Sequence, residues 1–373
     1  MQISILKEED KNEQRVASTP DSIKLLQRLG AEIIIESGSG DLSGYSDELY
    51  ESVGAKITNR LECLKSDVCL CVRMPSQQDI NQMKKGIILI GILDPFKNKT
   101  YYNDLNINKI TSCCMELIPR ISRAQSMDVL SSQANLAGYK AVIDAAEKFR
   151  KAFPLMMTAA GRINPAKVMI LGVGVAGLQA IATAKRLGAI VSATDVRIAT
   201  KEQVESLGGK FIMVEDDESK ETETSSGYAK EMSEEYKKKQ AKLIAETVSK
   251  QDIVICTALI PGKAAPVLIT EEMVNSMTKG SIIVDLAVEA GGNCPISKIG
   301  EIVDHNGVII IGYANVPGRV AKDASALYAK NIVNFLTLMI NKEDKNINID
   351  WEDEIIKSVV LTYDGNIKLE KFI

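Results

Sequence analysis

The sequence holds one histidine, His305, in 373 residues. Whatever chemistry the chain supports has almost no imidazole available to carry protons near neutral pH. Long apolar runs are missing as well: the longest fall well short of the ~20 residues a membrane helix needs, so no bilayer span is predicted. The opening MQISILKEED brings charges in too early for a secretory signal, which predicts a cytoplasmic location. The seven cysteines include no C-x-x-C pair. Cys69, Cys71, Cys113, Cys114 and Cys256 sit in apolar, β-like runs, the pattern of reduced core residues; no metal site is expected. A basic excess is also lacking. With a formal net charge of -4, the chain has no sign of the positive face that nucleic acid binding requires.

What is present reads as a globular α/β protein. Hydrophobic content of 45% with 25% charged residues is that of a soluble chain, and the length suits two domains. The first lobe alternates strand and helix: ISILKE, the amphipathic PDSIKLLQRLG, then AEIIIES. VCLCVRM, GIILIGIL and ITSCCMELI continue as apolar, β-branched runs, the pattern of a parallel sheet buried on both faces. A second series follows at βαβ spacing: AKVMILGVG, the helix GLQAIATAKRLG, AIVSATD, FIMVE, DIVICTAL, SIIVDLAV and GVIIIGY. DASALYAKNIVNFLTLMI predicts a long amphipathic helix, and SVVLTYDGNIKLE a hairpin around Asp364-Gly365. FPLMMTAAGRINPAKV reads as an apolar hairpin with its turn near Ala160-Gly161.

The strongest local motif is VMILGVGVAGLQA, which sets Gly172, Gly174 and Gly177 in a G-x-G-x-x-G pattern. A predicted strand precedes it and a helix follows, so a tight turn, close backbone approach to a pyrophosphate and a helix N-terminus all coincide. Glycines serving only a tight turn are the plain alternative. The next strand ends about twenty residues on at Asp195, whose carboxylate can accept from an adenosine ribose and repel a 2′-phosphate, favouring NAD over NADP. Arg197 is discordant, since an arginine there can hold that phosphate. The expected architecture is α/β: two Rossmann-like doubly wound parallel-sheet domains, residues 1–131 with 320–373 and residues 132–319, with an NAD-binding cleft between them.

Two polar stretches remain. DDESKETETSSGYAKEMSEEYKKKQAKLIAETVSK has almost nothing apolar to bury in its first half, and a solvated charge run is its simplest reading. Gly227, Tyr228 and Met232 suit a lid that closes over bound cofactor. RISRAQSMDVLSSQANLAGYK gathers an arginine, a carboxylate, amides and hydroxyls ahead of the glycine motif, with no histidine.

With EQRVASTP, PRISRAQSMDVLSSQANLAGY, GVGVAG with TDVR, SGYAKEM, ALIPGKAAP, VDLAVEAGGN and YANVPGR, the chain resembles the NAD(H)-binding domain I of proton-translocating, Re/Si-specific NAD(P) transhydrogenases, relatives of alanine dehydrogenase. The resemblance covers essentially the full length. It implies that Arg120, Gln125, Asp128 and Ser131 hold the nicotinamide and its ribose. It places Gly172, Gly174, Val175 and Gly177 at the pyrophosphate, and Asp195, Val196 and Arg197 at the adenosine ribose. Gly227, Tyr228 and Met232 match the mobile loop, and Gln240, Ala258 and Leu259 further lining positions. For Arg120 a salt bridge is the alternative role, and for Asp128 and Ser131 helix capping.

The implied chemistry fits the missing histidine. Oxidising an alcohol or amine moves a proton with the hydride and needs a positioned base, whereas transhydrogenation passes only a hydride between two nicotinamide rings. Alanine dehydrogenase uses an arginine, a lysine, a histidine and an aspartate for its keto acid. This chain keeps Arg15, offers Arg73 and Glu289 at two of the other places, and has no histidine in GILDPF. NADP(H) and the proton path are expected on partners: an NADP(H)-binding component and a membrane-spanning proton-channel subunit, with this chain peripheral on the cytoplasmic face of the inner membrane. The FPLMMTAAGRINPAKV arm implies a homodimer. An alanine dehydrogenase-like oxidoreductase and a non-catalytic NADH-responsive module are the alternatives.

Overall fold

A computed structural model describes residues 1–214, 233–260, 262–341, 343–369 and 372. The chain divides into two compact units, Met1–Gln133 with Pro317–Ile373, and Ala134–Val316. The strands, in chain order, are β1 (Gln2–Ile5), β2 (Glu32–Glu36), β3 (Lys56–Thr58), β4 (Val68–Arg73), β5 (Ile88–Ile92), β6 (Thr111–Cys114), β7 (Met156–Thr158), β8 (Gly161–Ile163) and β9 (Lys167–Leu171). They continue with β10 (Ile190–Thr194), β11 (Lys210–Phe211), β12 (Ile253–Cys256), β13 (Ile282–Asp285), β14 (Ile302–His305), β15 (Val308–Ile311), β16 (Val360–Tyr363) and β17 (Asn366–Ile367).

In the first unit the described strands form one sheet in the order β3-β2-β1-β4-β5-β6-β16-β17. β1 to β6 pair in parallel, and β16 adds antiparallel to β6. The parallel pairing follows from composition. β4 is buried along Val68–Val72, so its side chains need cover on both faces, which crossover helices supply. One such helix is Pro20–Arg28, whose first turn is fixed by a reciprocal capping box between Thr19 and Ser22. Its Ile23 and Leu26 join Ile3, Ile5 and Ile35 in a buried cluster with Tyr328, Ile332 and Phe335 of helix Ala321–Leu336. Each such side chain contributes roughly 1.5–3 kcal/mol by leaving water.

The second unit has the order β11-β10-β9-β12-β13-β15-β14. All pairs are parallel except β14 with β15. Among the parallel strands each sheet therefore reverses its order once, between β1 and β4 in the first unit and between β9 and β12 in the second. In open α/β sheets the crevice at such a reversal, outside the carboxyl ends of the strands, is where ligands bind.

Three local features differ from the sequence expectation. Of the described residues of FIMVE only Phe211 belongs to β11, because Val214 N–H leaves the sheet to bond Gln240 Oε1 at 2.8 Å. β14, absent from the expected strands, is an edge strand with exposed and half-buried residues alternating; it turns into β15 through Asn306 and Gly307, both at positive φ. The apolar arm forms the ribbon β7-β8, but Thr158 pairs with Gly161, so its turn is Ala159-Ala160. The hairpin at Asp364-Gly365 forms where expected, with φ 45° and 79° suiting the twist of the strands it joins.

Candidate functional site

The reversal point of the second unit is built around β9. Its last residue, Leu171, leads into Gly172 at φ 95°, a left-handed conformation that a side chain resists. A Cβ on Gly177 would lie 2.0 Å from Gly172 O, so turn and helix approach closely only with glycine there. Gly174 differs: a Cβ on it meets nothing within 4 Å. It starts helix Val175–Arg186 without a side-chain cap, leaving backbone N–H groups of the first turn at an exposed surface where an anion can accept them. Donors, space and close backbone approach together fit a pyrophosphate.

Asp195, one residue beyond β10, closes the turn's other side. Its Oδ2 accepts from Val173 N–H at 2.7 Å, and Oδ1 from Arg197 N–H at 2.8 Å. Arg197 folds back onto the same carboxylate, with Nε 2.9 Å from Oδ1 and a terminal nitrogen 3.0 Å from Oδ2. Burial would raise the Asp195 carboxyl, but the Arg197 side chain and the two backbone donors outweigh it and hold it below its ordinary value. The discordance seen in the sequence is thereby resolved locally: Arg197 neutralises Asp195 instead of standing free for a phosphate. Val196 between them is 85% exposed, an apolar surface with nothing of the described chain covering it.

Gln240, on helix Glu234–Val248, bonds Thr194 Oγ1 at 3.3 Å, Ile212 O at 3.2 Å and Val214 N–H, tying the end of β10 to the segment after β11. Ala258 and Leu259 follow β12, with Leu259 57% exposed. Thr257, which sequence reading passed over, donates its hydroxyl to Gly172 O at 2.9 Å and so braces the glycine turn from the neighbouring strand. Its signal was positional: it directly follows the strand that pairs with β9. His305 lies at the other end of this sheet, pairing with Val308 at the start of β15, and bonds Asn275.

In the first unit the segment Arg120–Ser131 is anchored by some residues and leaves others exposed. Ala124 and Met127 are buried. Arg123 forms a bidentate pair with Asp353 at 2.6 and 2.9 Å, and Ser126 O accepts from Asn331 and Asn334. Arg120 and Gln125 are exposed, and among the described residues neither side chain makes a hydrogen bond or ion pair. Asp128 accepts the N–H of Ser131 at 2.9 Å and its hydroxyl at 2.5 Å, which caps helix Val129–Lys148. Capping and ligand contact are compatible, since each oxygen keeps a free lone pair.

The first unit's own reversal point is filled by protein groups. Glu8 accepts from Val72 and Arg73 N–H at the end of β4. Glu13 binds Arg15 through both oxygens, at 2.7 and 2.6 Å, and Arg73 at 2.9 Å. Arg15, only 3% exposed, also reaches Gln133 at 2.8 Å. Burial alone would raise Glu13, yet the two guanidinium groups bring it down to about 2. Gly227, Tyr228 and Met232 lie outside the described residues.

Fold and site define a two-unit α/β protein of the doubly wound kind, with a dinucleotide-type phosphate turn in its second unit. Residues 4–137 match the family model "Alanine dehydrogenase/PNT, N-terminal domain" and residues 141–370 "Alanine dehydrogenase/PNT, C-terminal domain". The chain belongs to the alanine dehydrogenase/PNT family. It is 54% identical to the first of the parts that make up NAD(P) transhydrogenase subunit alpha in Rhodospirillum rubrum, over 98% of this chain and 97% of that one. It is 44% identical to "NAD(P) transhydrogenase subunit alpha" of Haemophilus influenzae, over 98% of this chain but 71% of the relative. Among solved structures, "The crystal structure of transhydrogenase from Sinorhizobium meliloti" matches with a TM-score of 0.91 at 50% identity, covering 98% of this chain and 100% of that one.

Proposed function

We propose that the chain is the NAD(H)-binding component of a proton-translocating, Re/Si-specific transhydrogenase, whose NADH passes a hydride directly to NADP⁺ held on a separate subunit. The observation that carries this reading is the segment Arg120–Ser131, anchored by Arg123, Ala124 and Met127, which presents Arg120 and Gln125 without a described protein partner. These groups can grip a carboxamide and a ribose, and none is a general base of the kind a proton-coupled oxidation needs. Hydride transfer between two C4 atoms needs the rings held in near-attack geometry, and positioning alone can supply several kcal/mol of the barrier.

Arg120, Gln125, Asp128 and Ser131 are assigned to the nicotinamide and its ribose. The Gly172–Gly177 turn with Val175 takes the pyrophosphate, and Asp195, Val196 and Arg197 the adenosine ribose. Gln240, Ala258 and Leu259 line the remainder, and Gly227, Tyr228 and Met232 form the closing loop on sequence grounds. NADP(H) and the proton route are assigned to partners, an NADP(H)-binding component and a membrane subunit, which places this chain on the cytoplasmic face of the membrane. That the R. rubrum relative is one portion of a divided subunit supports this arrangement. The exposed ribbon, with Met156 44%, Met157 73% and Ile163 40% exposed, supports a homodimer; a monomer in sedimentation overturns that point.

Engagement of Arg15 by Glu13 and Gln133 weighs against a keto-acid pocket. The test mixes the purified chain with an NADP(H)-binding transhydrogenase component and follows hydride exchange from NADH. Exchange with the mixture, and no NADH oxidation by the chain alone with pyruvate and ammonia, is the expected result. Turnover of pyruvate, or failure to bind NADH, overturns the proposal.

A further inference from the structure

The carboxyl ends of β12 and β13 are joined by a buried polar relay. Asp285, the last residue of β13, is fully buried and accepts four hydrogen bonds. Oδ1 takes Ala287 N–H at 3.0 Å and Asn293 N–H at 3.1 Å; Oδ2 takes Cys294 N–H at 3.1 Å and the Ser297 hydroxyl at 2.6 Å. A buried carboxylate with four donors is satisfied, and it fixes the 287–297 turn, because releasing any donor leaves a polar group stranded.

That turn presents Asn293, itself 0% exposed. Asn293 Oδ1 accepts from Ala258 N–H at 3.1 Å, while Nδ2 donates to Ala258 O at 2.9 Å and to Pro266 O at 2.7 Å. Its backbone carbonyl accepts from Leu268 and Ile269 N–H at 2.9 and 3.0 Å. One side chain thus pins both ends of the segment 258–266, whose described residues have neither helix nor strand to hold them. Between those ends Leu259 and Ile260 are 57% and 45% exposed. The pinned end, Ala258, directly follows Thr257, whose hydroxyl bonds Gly172 O.

We infer that Asn293 is a positioning residue for nucleotide binding, acting as a staple that fixes Ala258 and Pro266 relative to each other beside the glycine turn. The inference rests on the reading of that turn as an NADH site. A loop ordered before the ligand arrives does not lose its conformational freedom on binding, so affinity is higher than for a loose loop. Asn293 is buried and acts on the site through Ala258, which it bonds and which Leu259 follows. Its removal is therefore expected to raise the dissociation constant for NADH and the KM for NADH, and to leave both the turnover at saturating NADH and the KM for the NADP(H) substrate in place.

The experiment uses the full chain with Asn293→Ala and, in case that variant fails to fold, Asn293→Ser, which keeps a hydroxyl but cannot reach Pro266. NADH binding is titrated calorimetrically, steady-state hydride exchange is measured with the partner component, and amide hydrogen exchange is read at Ala258 and in β9, β12 and β13. The expected result is a loss of NADH affinity of tenfold or more, faster exchange at Ala258 by a similar factor, and unchanged exchange in the three strands. A folded variant with wild-type affinity overturns the staple and leaves the nucleotide site standing. Weakened affinity with unchanged Ala258 exchange overturns it as well. If the wild-type chain does not bind NADH, the functional reading itself fails, and Ala258 exchange alone then decides whether the staple orders the loop.

Discussion

Gly174 separates a folding role for the glycine turn from a binding role. Its backbone, at φ -81° and ψ -166°, is open to any residue, and an added Cβ has no neighbour within 4 Å. Gly174→Ala should therefore fold normally, gaining up to ~1 kcal/mol of stability because alanine has less freedom to lose in the unfolded chain. The new methyl does occupy the space beside the uncapped N–H groups of helix Val175–Arg186, the place assigned to the pyrophosphate under the proposed function. Forcing the phosphate outward loses charge-assisted hydrogen bonds of roughly 1.5–3 kcal/mol, which is about ten- to a hundredfold in the dissociation constant for NADH. Gly177→Ala is the contrasting control. Its Cβ would stand 2.0 Å from Gly172 O, a backbone atom that cannot swing aside, so a stability loss of about 1–3 kcal/mol is expected along with lost binding. Thermal unfolding and calorimetric titration with NADH, run on both variants, distinguish the two effects. If Gly174→Ala binds NADH within twofold of wild type, the turn is a structural bend and the nucleotide lies elsewhere.

Two further outcomes follow from charges on the molecule. Asp195→Asn keeps the side chain's shape but removes its charge, so NADH affinity should fall about tenfold, by ~1.4 kcal/mol, and the preference over NADPH should narrow; competition titration with both nucleotides measures this, and an unchanged preference would falsify the ribose assignment. Glu13, held down from 4.5 to about 2 by Arg15 and Arg73 against its burial, binds its proton less tightly folded than unfolded. Its contribution of roughly 3 kcal/mol is fully present above about pH 4.5 and is lost as pH falls towards 2. Denaturant melts across that window should show the loss in the wild type and a flatter curve in Glu13→Gln; parallel curves would refute it.

Much of the fold was legible because it is written in short-range patterns. Val68–Val72 is apolar throughout, and a strand buried on both faces belongs in a parallel sheet. Asp364-Gly365 announced its hairpin through residues that tolerate positive φ. The same signal at Asn306-Gly307 went unread, because edge strand β14 has too weak an apolar alternation to mark it as a strand. Gly172 and Gly177 were legible for the same reason, a backbone demand met only by glycine.

The sequence by itself determined the two series of strands, the glycine turn and the polar character of Arg120–Ser131. Tertiary structure alone decided how those polar groups are used. Arg197 turns onto Asp195 because Asp195 is anchored from Val173 on the neighbouring strand end. Arg123 is committed to Asp353, 230 residues away, and Arg120 is not. Asn293 meets Ala258 only because β12 and β13 lie side by side, so that two loops 35 residues apart emerge at one edge. Periodicity reports which face of an element is buried; it carries no record of which distant donor will find which acceptor, since that depends on strand order and register once the chain has closed on itself.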